Sequence, residues 1–167
     1  KVLLLISGGG SALFEMPLIP AAELEDLTKQ LLASGADIVE MNTIRKRLSG
    51  VKGGKFAKIC EPAQVLSIVL SDIIGDPLDM IASGPAYPDS STGEQASEIV
   101  KKYGIKTTEE IDALLKIQPP HELHNVTTKI TGSVTQLCAA AELTCRELGY
   151  EPIILTASLS CEAKKAG

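Results

Sequence analysis

The first candidate site is a turn of small residues at the end of an apolar run. The turn consists of Ser7, Gly8, Gly9, Gly10 and Ser11. The preceding run, 2–6, has no polar alternation and therefore predicts a strand covered on both faces. Glycines can direct successive amide N–H groups towards one point, so the turn is a candidate phosphate or carboxylate site at the end of a parallel strand. A tight turn without a ligand is the alternative, because the spacing fits neither a P-loop nor a dinucleotide fingerprint.

A second group of candidate residues is basic. Asn42, Arg45 and Lys46 recur at helical spacing and share a polar face of a predicted helix. The following loop places two glycines between Lys52 and Lys55, which could bring amide and ammonium groups close to an anion. Basic residues in a last helical turn also oppose the helix dipole, and paired glycines are a common helix stop. Without further context, the sequence favours this structural alternative.

Acidic and small polar residues follow a second apolar run, 65–70. Asp72 comes directly after it, and Asp76 and Asp79 follow at steps of four and three residues. Carboxylate oxygens are the ligands that a hard divalent cation prefers, although aspartates are also common in turns for local reasons. The next loop, 81–89, is rich in glycine and proline, and loops at strand ends often carry function.

Two further polar pairs are weaker candidates. His121 and His124 are three residues apart, but no third ligand is in view, and we interpret them as surface residues. Gly132 and Ser133 lie between a predicted strand and a predicted helix, where a second anion pocket is possible.

The periodicity predicts alternating strands and helices. Strands are predicted at 2–6, 65–70, 126–131 and 152–156, and helices at 21–34, 37–50, 92–103, 107–117, 133–149 and 158–167. Helix starts are predicted at Asp37, Ser91, Thr107 and Ser133, each followed three residues later by Glu or Gln. Helix 133–149 carries an apolar stripe that predicts a buried face. The expected fold is α/β, a three-layer αβα, doubly wound and mostly parallel Rossmann-like sheet.

Composition restricts the class of protein. The chain has 167 residues, a formal net charge of −5 and no tryptophan, which argues against a nucleic-acid surface. The first apolar run is too short for a signal peptide or a membrane span, so we expect a cytoplasmic protein without a membrane partner. The four cysteines form no C-x-x-C pair and are expected to be reduced. Both ends are expected to be truncated, since a buried strand begins the chain. The sequence does not fix the oligomeric state, and a homo-oligomer is compatible with it.

Several of these stretches together match one family. They are ISGGGSAL at 6–13, LLASGADIVEMNTIRKRLSGVKGGK at 31–55 and SDIIGDPLDMIASGPAYPDSSTGEQA at 71–96, with a weaker match at 130–141. The chain resembles part of a type II glycerate kinase, the glycerate 2-kinase family whose C-terminal portion is called the MOFRL domain. The resemblance implies a cytoplasmic, Mg²⁺-dependent enzyme that transfers the γ-phosphoryl of ATP to the 2-hydroxyl of D-glycerate, giving 2-phosphoglycerate and ADP.

The resemblance also implies a longer protein and a role for each motif. The chain would be part of the N-terminal Rossmann-like domain of a two-domain enzyme, whose upstream lysine and C-terminal arginine have no counterpart here. The turn 7–11 would cradle phosphate or the glycerate carboxylate, and Arg45 and Lys52 would neutralise anionic oxygens. Asp72 would hold Mg²⁺ or orient the attacking hydroxyl. The remaining cleft-lining residues would be Asn42, Ser83 and Gly84.

Three alternatives compete with the kinase. A hydroxypyruvate reductase, a label used within the same family, needs a nicotinamide, but the last glycine of the G-x-G-x-x-G fingerprint is missing. A non-catalytic nucleotide- or anion-binding module would bind ATP without turnover. A purely structural domain would bind neither, and the clustering of motifs at predicted loop and helix ends disfavours it.

Overall fold

A computed structural model describes residues 1–71, 73–159, 161 and 163–166 of the chain. The strands are β1 (Val2–Ile6), β2 (Val65–Leu70) and β3 (Val126–Gly132). The helices are α1 (Gly10–Leu13), α2 (Ala21–Ser34), α3 (Ile38–Arg47), α4 (Lys55–Ile59), α5 (Gly93–Tyr103), α6 (Glu109–Lys116), α7 (Val134–Glu147) and α8 (Ala163–Ala166), with a 3₁₀ turn at Ile81–Ser83. Within these ranges no helix has the length and apolar character needed to cross a membrane.

The three strands form one parallel sheet in the order β1-β2-β3. Val2 pairs with Val65, and Val65 pairs with Val126, so the strands run in step. The carboxyl ends of parallel strands meet at one edge, which brings the turn 7–11, Ser71 and Ser133 to the same side of the sheet. The predicted α/β class with a parallel sheet is confirmed, and the architecture is compatible with an αβα fold.

Helices α2, α3, α5 and α6 pack on one another and form the larger apolar core. Leu31 of α2, Ile44 of α3, Ala96 of α5 and Leu115 of α6 are all buried in it. Each fully buried leucine or isoleucine contributes about 1.5–3 kcal/mol relative to an exposed one. The core therefore holds α3 as a rigid support for the polar residues that it carries.

The described residues cover only one face of the sheet. Leu4 and Val65 pack with Ala57 and Ala86 in a second, smaller core. The opposite face is open, and Leu3 and Leu5 are 62% and 68% exposed. The prediction that β1 is covered on both faces is therefore wrong for the described chain, because four of its helices bury their apolar stripes against one another.

The predicted fourth strand at 152–156 is not formed. This stretch has no strand conformation, and Ile153 and Leu155 are 80% and 91% exposed. An apolar run becomes a strand only where a neighbour accepts its backbone hydrogen bonds, and none pairs with it among the described residues. Helix α7 does form, but its predicted buried stripe is exposed at Leu137 and Leu148. Helix 158–167 is described only as α8, since residues 160, 162 and 167 lie outside the described ranges.

Helix starts follow the predicted chemistry, with two shifts of one residue. The predicted box at Asp37 is present, with its carboxylate accepting from the Glu40 amide at 2.8 Å. Helices α5 and α6 instead begin after Thr92 and Thr108. The predicted caps are occupied elsewhere, because the Ser91 hydroxyl donates to Asp89 and the Thr107 hydroxyl donates to Asp112.

Candidate active site

The glycine turn lies exposed at the carboxyl end of β1 and leads into the short helix α1. Gly9 has φ 85°, in the left-handed region that favours glycine. Ser7, Gly8 and Gly9 are exposed, whereas Ser11 is half-buried. A Cβ on Gly10 would come within 2.8 Å of the Ala82 Cβ, so the turn packs closely on the 3₁₀ turn.

The 3₁₀ turn has a partly left-handed backbone conformation and carries the polar side chain of Ser83. Ala82 and Ser83 have φ of 50° and 61°, and the following Gly84 has φ 63°. Each non-glycine residue held in this region costs about 1–3 kcal/mol, which the surrounding packing must offset. The Ser83 hydroxyl donates to the Ser11 hydroxyl at 3.3 Å and to Asn42 Oδ1 at 3.5 Å. The strained turn thus joins the glycine turn to helix α3.

The loop between α3 and α4 fixes the 3₁₀ turn from the other side. The Gly53 amide donates to the Ser83 carbonyl at 3.0 Å, and the Gly54 amide donates to the Gly84 carbonyl at 2.7 Å. The predicted lysine–glycine loop therefore uses these two amides for backbone pairing, which holds Ser83 beneath Ser11.

We expect Gly84→Ala to destabilise the fold by about 2 kcal/mol or more. A Cβ there would meet the Asp79 backbone at 3.0 Å in addition to the strain of a positive φ. Denaturant unfolding of the protein measures the change. Gly104→Ala is the matched control, since Gly104 has φ 60° but nothing within 4 Å of an added Cβ. Equal losses in both variants would contradict a packing role for Gly84.

Two cationic side chains meet at the carbonyl oxygen of Ser11. Arg45 Nη2 donates to it at 3.2 Å and Lys52 Nζ donates to it at 2.5 Å. Lys52 is fully buried and forms an ion pair with Glu15. Burial lowers the pKa of Lys52, and the hydrogen bond and charge of Glu15 oppose that shift. Arg45 is half-buried, so its guanidinium is the more accessible of the two charges.

The other basic residues of this region have structural partners. Lys46 is buried with Asp89, at 3.1 Å between Nζ and Oδ1. Arg47 donates to the carbonyls of Ile117 and Ser91 at 2.7 and 2.8 Å. The polar face of α3 is thus largely buried, and the structural alternative holds for these two residues.

Lys55 binds the carboxyl end of α3. Its ammonium donates to the carbonyls of Lys46, Arg47 and Ser49 at 2.9, 3.3 and 2.6 Å. Burial is the main reason that the pKa of Lys55 falls to about 8. The structural alternative that the sequence favours for the basic cluster describes Lys55 well.

The structure brings most of the predicted site residues together. Ser11 contacts Arg45, Lys52 and Ser83, which in turn contacts Asn42. Gly10 and Gly84 lie in the two turns that pack there, and Ser7, Gly8 and Gly9 form the exposed rim. Asp72 lies outside the described residues.

Sequence reasoning missed Glu15, Asp89 and the two short helices α1 and α4. The two carboxylates lie in loops 37 and 43 residues from the lysines that they pair with, so no local spacing signals the contacts. No prediction covered helix α4, which begins after Gly54; a glycine at an N-cap is an acceptable start. A buried lysine that needs a counter-charge is the one signal that could have prompted a search for Glu15.

The described residues do not form a metal site. In residues 1–71 and 73–159, together with 161 and the helix that follows, no three His, Cys, Asp or Glu residues form a group able to hold a metal ion. The Asp79 carboxylate instead accepts a hydrogen bond from the Ser90 hydroxyl at 2.8 Å, and its Oδ2 lies 3.6 Å from Lys46 Nζ. The prediction of Mg²⁺ at Asp72 stays a prediction, since Asp72 lies outside the described residues.

Comparison with known proteins gives the family. A family model described as a domain of unknown function, DUF4147, matches residues 1–116. The chain belongs to the DUF4147 family. It is 50% identical over 99% of its length to a protein named D-glycerate 2-kinase from Thermotoga maritima, and 39% identical over 98% of its length to a human protein named glycerate kinase. The resemblance to glycerate 2-kinases is confirmed.

The solved structure of a relative supports the fold. The crystal structure of a glycerate kinase from Thermotoga maritima matches 99% of the chain with a TM-score of 0.89 and 50% identity. The chain covers 40% of that structure, and 40% and 33% of the Thermotoga and human relatives. The DUF4147 chain thus spans well under half the length of the proteins it matches.

Proposed function

We propose that the protein carrying this chain is a D-glycerate 2-kinase, which transfers the γ-phosphoryl of ATP to the 2-hydroxyl of D-glycerate. The convergence of the Arg45 guanidinium with Ser11, Ser83 and Asn42 beneath an exposed glycine turn carries the proposal. Phosphoryl transfer needs positioning and charge neutralisation more than covalent chemistry from the protein, and this arrangement offers both. The names of the relatives support the same substrates.

The proposed roles follow the positions of the groups. The turn formed by Ser7, Gly8, Gly9, Gly10 and Ser11 holds a phosphate or the glycerate carboxylate. Arg45 stabilises the negative charge that develops on the transferred group. The 2-hydroxyl oxygen bonds to the γ-phosphorus as the bond from that phosphorus to the β,γ-bridging oxygen breaks, leaving ADP, and the hydroxyl proton is released to water. Asn42, Ser83 and Gly84 shape the same wall.

Magnesium remains part of the proposal through Asp72. Asp72 comes directly after residues 65–70 in the sequence, and it would hold Mg²⁺ or orient the hydroxyl. The metal would neutralise phosphate charge when bound. We also propose that the protein works in the cytoplasm, where a metabolic kinase finds ATP.

The activity test uses the full-length protein, purified and supplied with D-glycerate, ATP and Mg²⁺. We expect equimolar 2-phosphoglycerate and ADP, detected by phosphorus NMR, and no oxidation of NADH when hydroxypyruvate replaces glycerate. The NADH reaction is the control for the reductase. Saturable ATP binding without phosphate transfer would contradict the proposal and favour a nucleotide-binding module.

A further inference from the structure

Glu15 and Lys52 form a buried ion pair directly behind the glycine turn. The Lys52 ammonium lies 2.5 Å from Glu15 Oε2 and 2.5 Å from the Ser11 carbonyl, and Lys52 is 0% exposed. A buried ammonium is costly unless it is paired and hydrogen-bonded. The Lys52 side chain is therefore confined to the position in which it holds both Glu15 and Ser11.

The Glu15 carboxylate is itself anchored. Its other oxygen, Oε1, accepts the Met16 amide at 2.9 Å, and its side chain is only 14% exposed. The preceding residue, Phe14, donates its amide to the Gly10 carbonyl at 2.9 Å. Glu15 is thus attached by the backbone to the same turn whose Ser11 carbonyl Lys52 binds.

The two cations at Ser11 are differently placed. Lys52 has a carboxylate partner in Glu15. Within the described part of the chain, Arg45 donates a hydrogen bond to the Ser11 carbonyl but forms no ion pair with a carboxylate. Two positive groups at one oxygen repel each other, and an anion near Arg45 would relieve that repulsion. Because Glu15 neutralises Lys52, the arrangement leaves the accessible charge of Arg45 for a ligand.

The geometry points to Glu15 and Lys52 as positioning residues for the phosphate site, an inference that rests on the proposed kinase function. Lys52 acts on the phosphate through the Ser11 carbonyl and the neighbouring Arg45, without touching it. Glu15 favours the charged form of the Lys52 ammonium and holds it at Ser11. This role for Lys52 differs from direct neutralisation of the ligand, which the family resemblance implied.

The pH dependence of activity tests this role, because a pair with a merely structural role would not change it on substitution. Burial lowers the pKa of Lys52, the positive charge of Arg45 lowers it further, and Glu15 raises it. Lys55 belongs to the same charge cluster, because Glu15 raises its pKa as well. Removal of the Glu15 charge therefore favours the neutral amine of Lys52 and shifts the loss of activity to lower pH.

The test compares Glu15→Gln with the unsubstituted full-length protein. We expect kcat for glycerate phosphorylation to fall about tenfold or more, with a smaller change in KM for ATP, because the groups that touch ATP remain while their placement is lost. The basic limb of the pH profile should move to lower pH. Glu25→Gln is the matched control, since Glu25 pairs with Lys29 at 2.6 Å on the exposed surface. For this variant we expect neither kcat nor the pH profile to change.

A double-mutant cycle separates positioning from general destabilisation. If Glu15 acts through Lys52, Glu15→Gln should have little further effect on kcat in a Lys52→Met background. Thermal unfolding of all variants identifies any that fail to fold. Additive losses, or a basic limb that stays in place in Glu15→Gln, would overturn the inference.

ATP binding measured by calorimetry distinguishes failure of this inference from failure of the proposed function. A full-length protein that binds ATP but phosphorylates no glycerate would remove the kinase proposal alone. In that case a loss of ATP affinity in Glu15→Gln that is less than about tenfold at neutral pH and grows with rising pH would still support the role of Glu15, and an affinity unchanged at every pH would overturn it. Absence of ATP binding in the unsubstituted protein would overturn both.

Discussion

We expect an Arg45→Ala variant of the full-length protein to phosphorylate D-glycerate about 100-fold more slowly than the unsubstituted protein. Arg45 donates to the Ser11 carbonyl at 3.2 Å and is the accessible positive charge beside the glycine turn. A preorganised donor that meets developing charge stabilises the transition state more than the bound substrate. Steady-state kinetics with D-glycerate and ATP measure the effect.

The control for this variant is Arg146→Ala. Arg146 lies on the exposed helix α7 and pairs with Glu142 at 2.8 Å, so its removal tests the loss of an arginine without disturbing the site. We expect unchanged kinetics for Arg146→Ala and nearly unchanged thermal stability for both variants. Wild-type turnover in Arg45→Ala would exclude Arg45 from the site.

The largest loss of stability is expected from Asp89→Ala. Asp89 accepts from Lys46 at 3.1 Å, and from the amide and the hydroxyl of Ser91 at 3.0 and 2.9 Å. Its side chain and that of Lys46 are 1% and 3% exposed. Removal of one member leaves a buried charge largely uncompensated, so the free energy of unfolding should fall by about 3–5 kcal/mol. Equilibrium denaturation in urea measures the loss.

A second substitution tests the cause of that loss. When Lys46 is also replaced by methionine, the uncompensated charge is removed and part of the lost stability should return. The exposed pair Lys29–Glu25 provides the comparison, and Lys29→Ala should leave the urea midpoint unchanged. If Asp89→Ala and Lys29→Ala behaved alike, the buried pair would not be a determinant of stability.

Local patterns sufficed for most elements of the fold. The helix 21–34 is found as α2 with the predicted bounds, and Gly35 ends it in a left-handed conformation with φ 79°. Apolar spacing and capping residues are properties of adjacent residues, so the sequence carries them directly. The burial of an element depends on what covers it, which explains why β1 and α7 form as predicted while parts of both lie exposed.

The candidate site was predicted in part for a related reason. The resemblance implied that the glycine turn and Arg45 of α3 share one site, and the structure joins the two through the Ser11 carbonyl. That Lys46 and Arg47 are structural while Arg45 remains accessible could not be read from the sequence, because all three follow one another in the same helical turn. Their partners, Ser11, Asp89 and Ile117, are distant in the chain and are chosen by tertiary packing.

The ammonium of Lys55 at the carboxyl end of α3 has an electrostatic consequence for the neighbouring guanidinium. The final carbonyls of a helix carry about half a negative charge, which would repel a phosphate brought to Arg45 in the last turn. Lys55 donates to three of the carbonyls at and just beyond that end, and its pKa of about 8 leaves it mainly protonated at neutral pH. The repulsive end of the helix is thereby screened, and the field that reaches an incoming anion is set by Arg45.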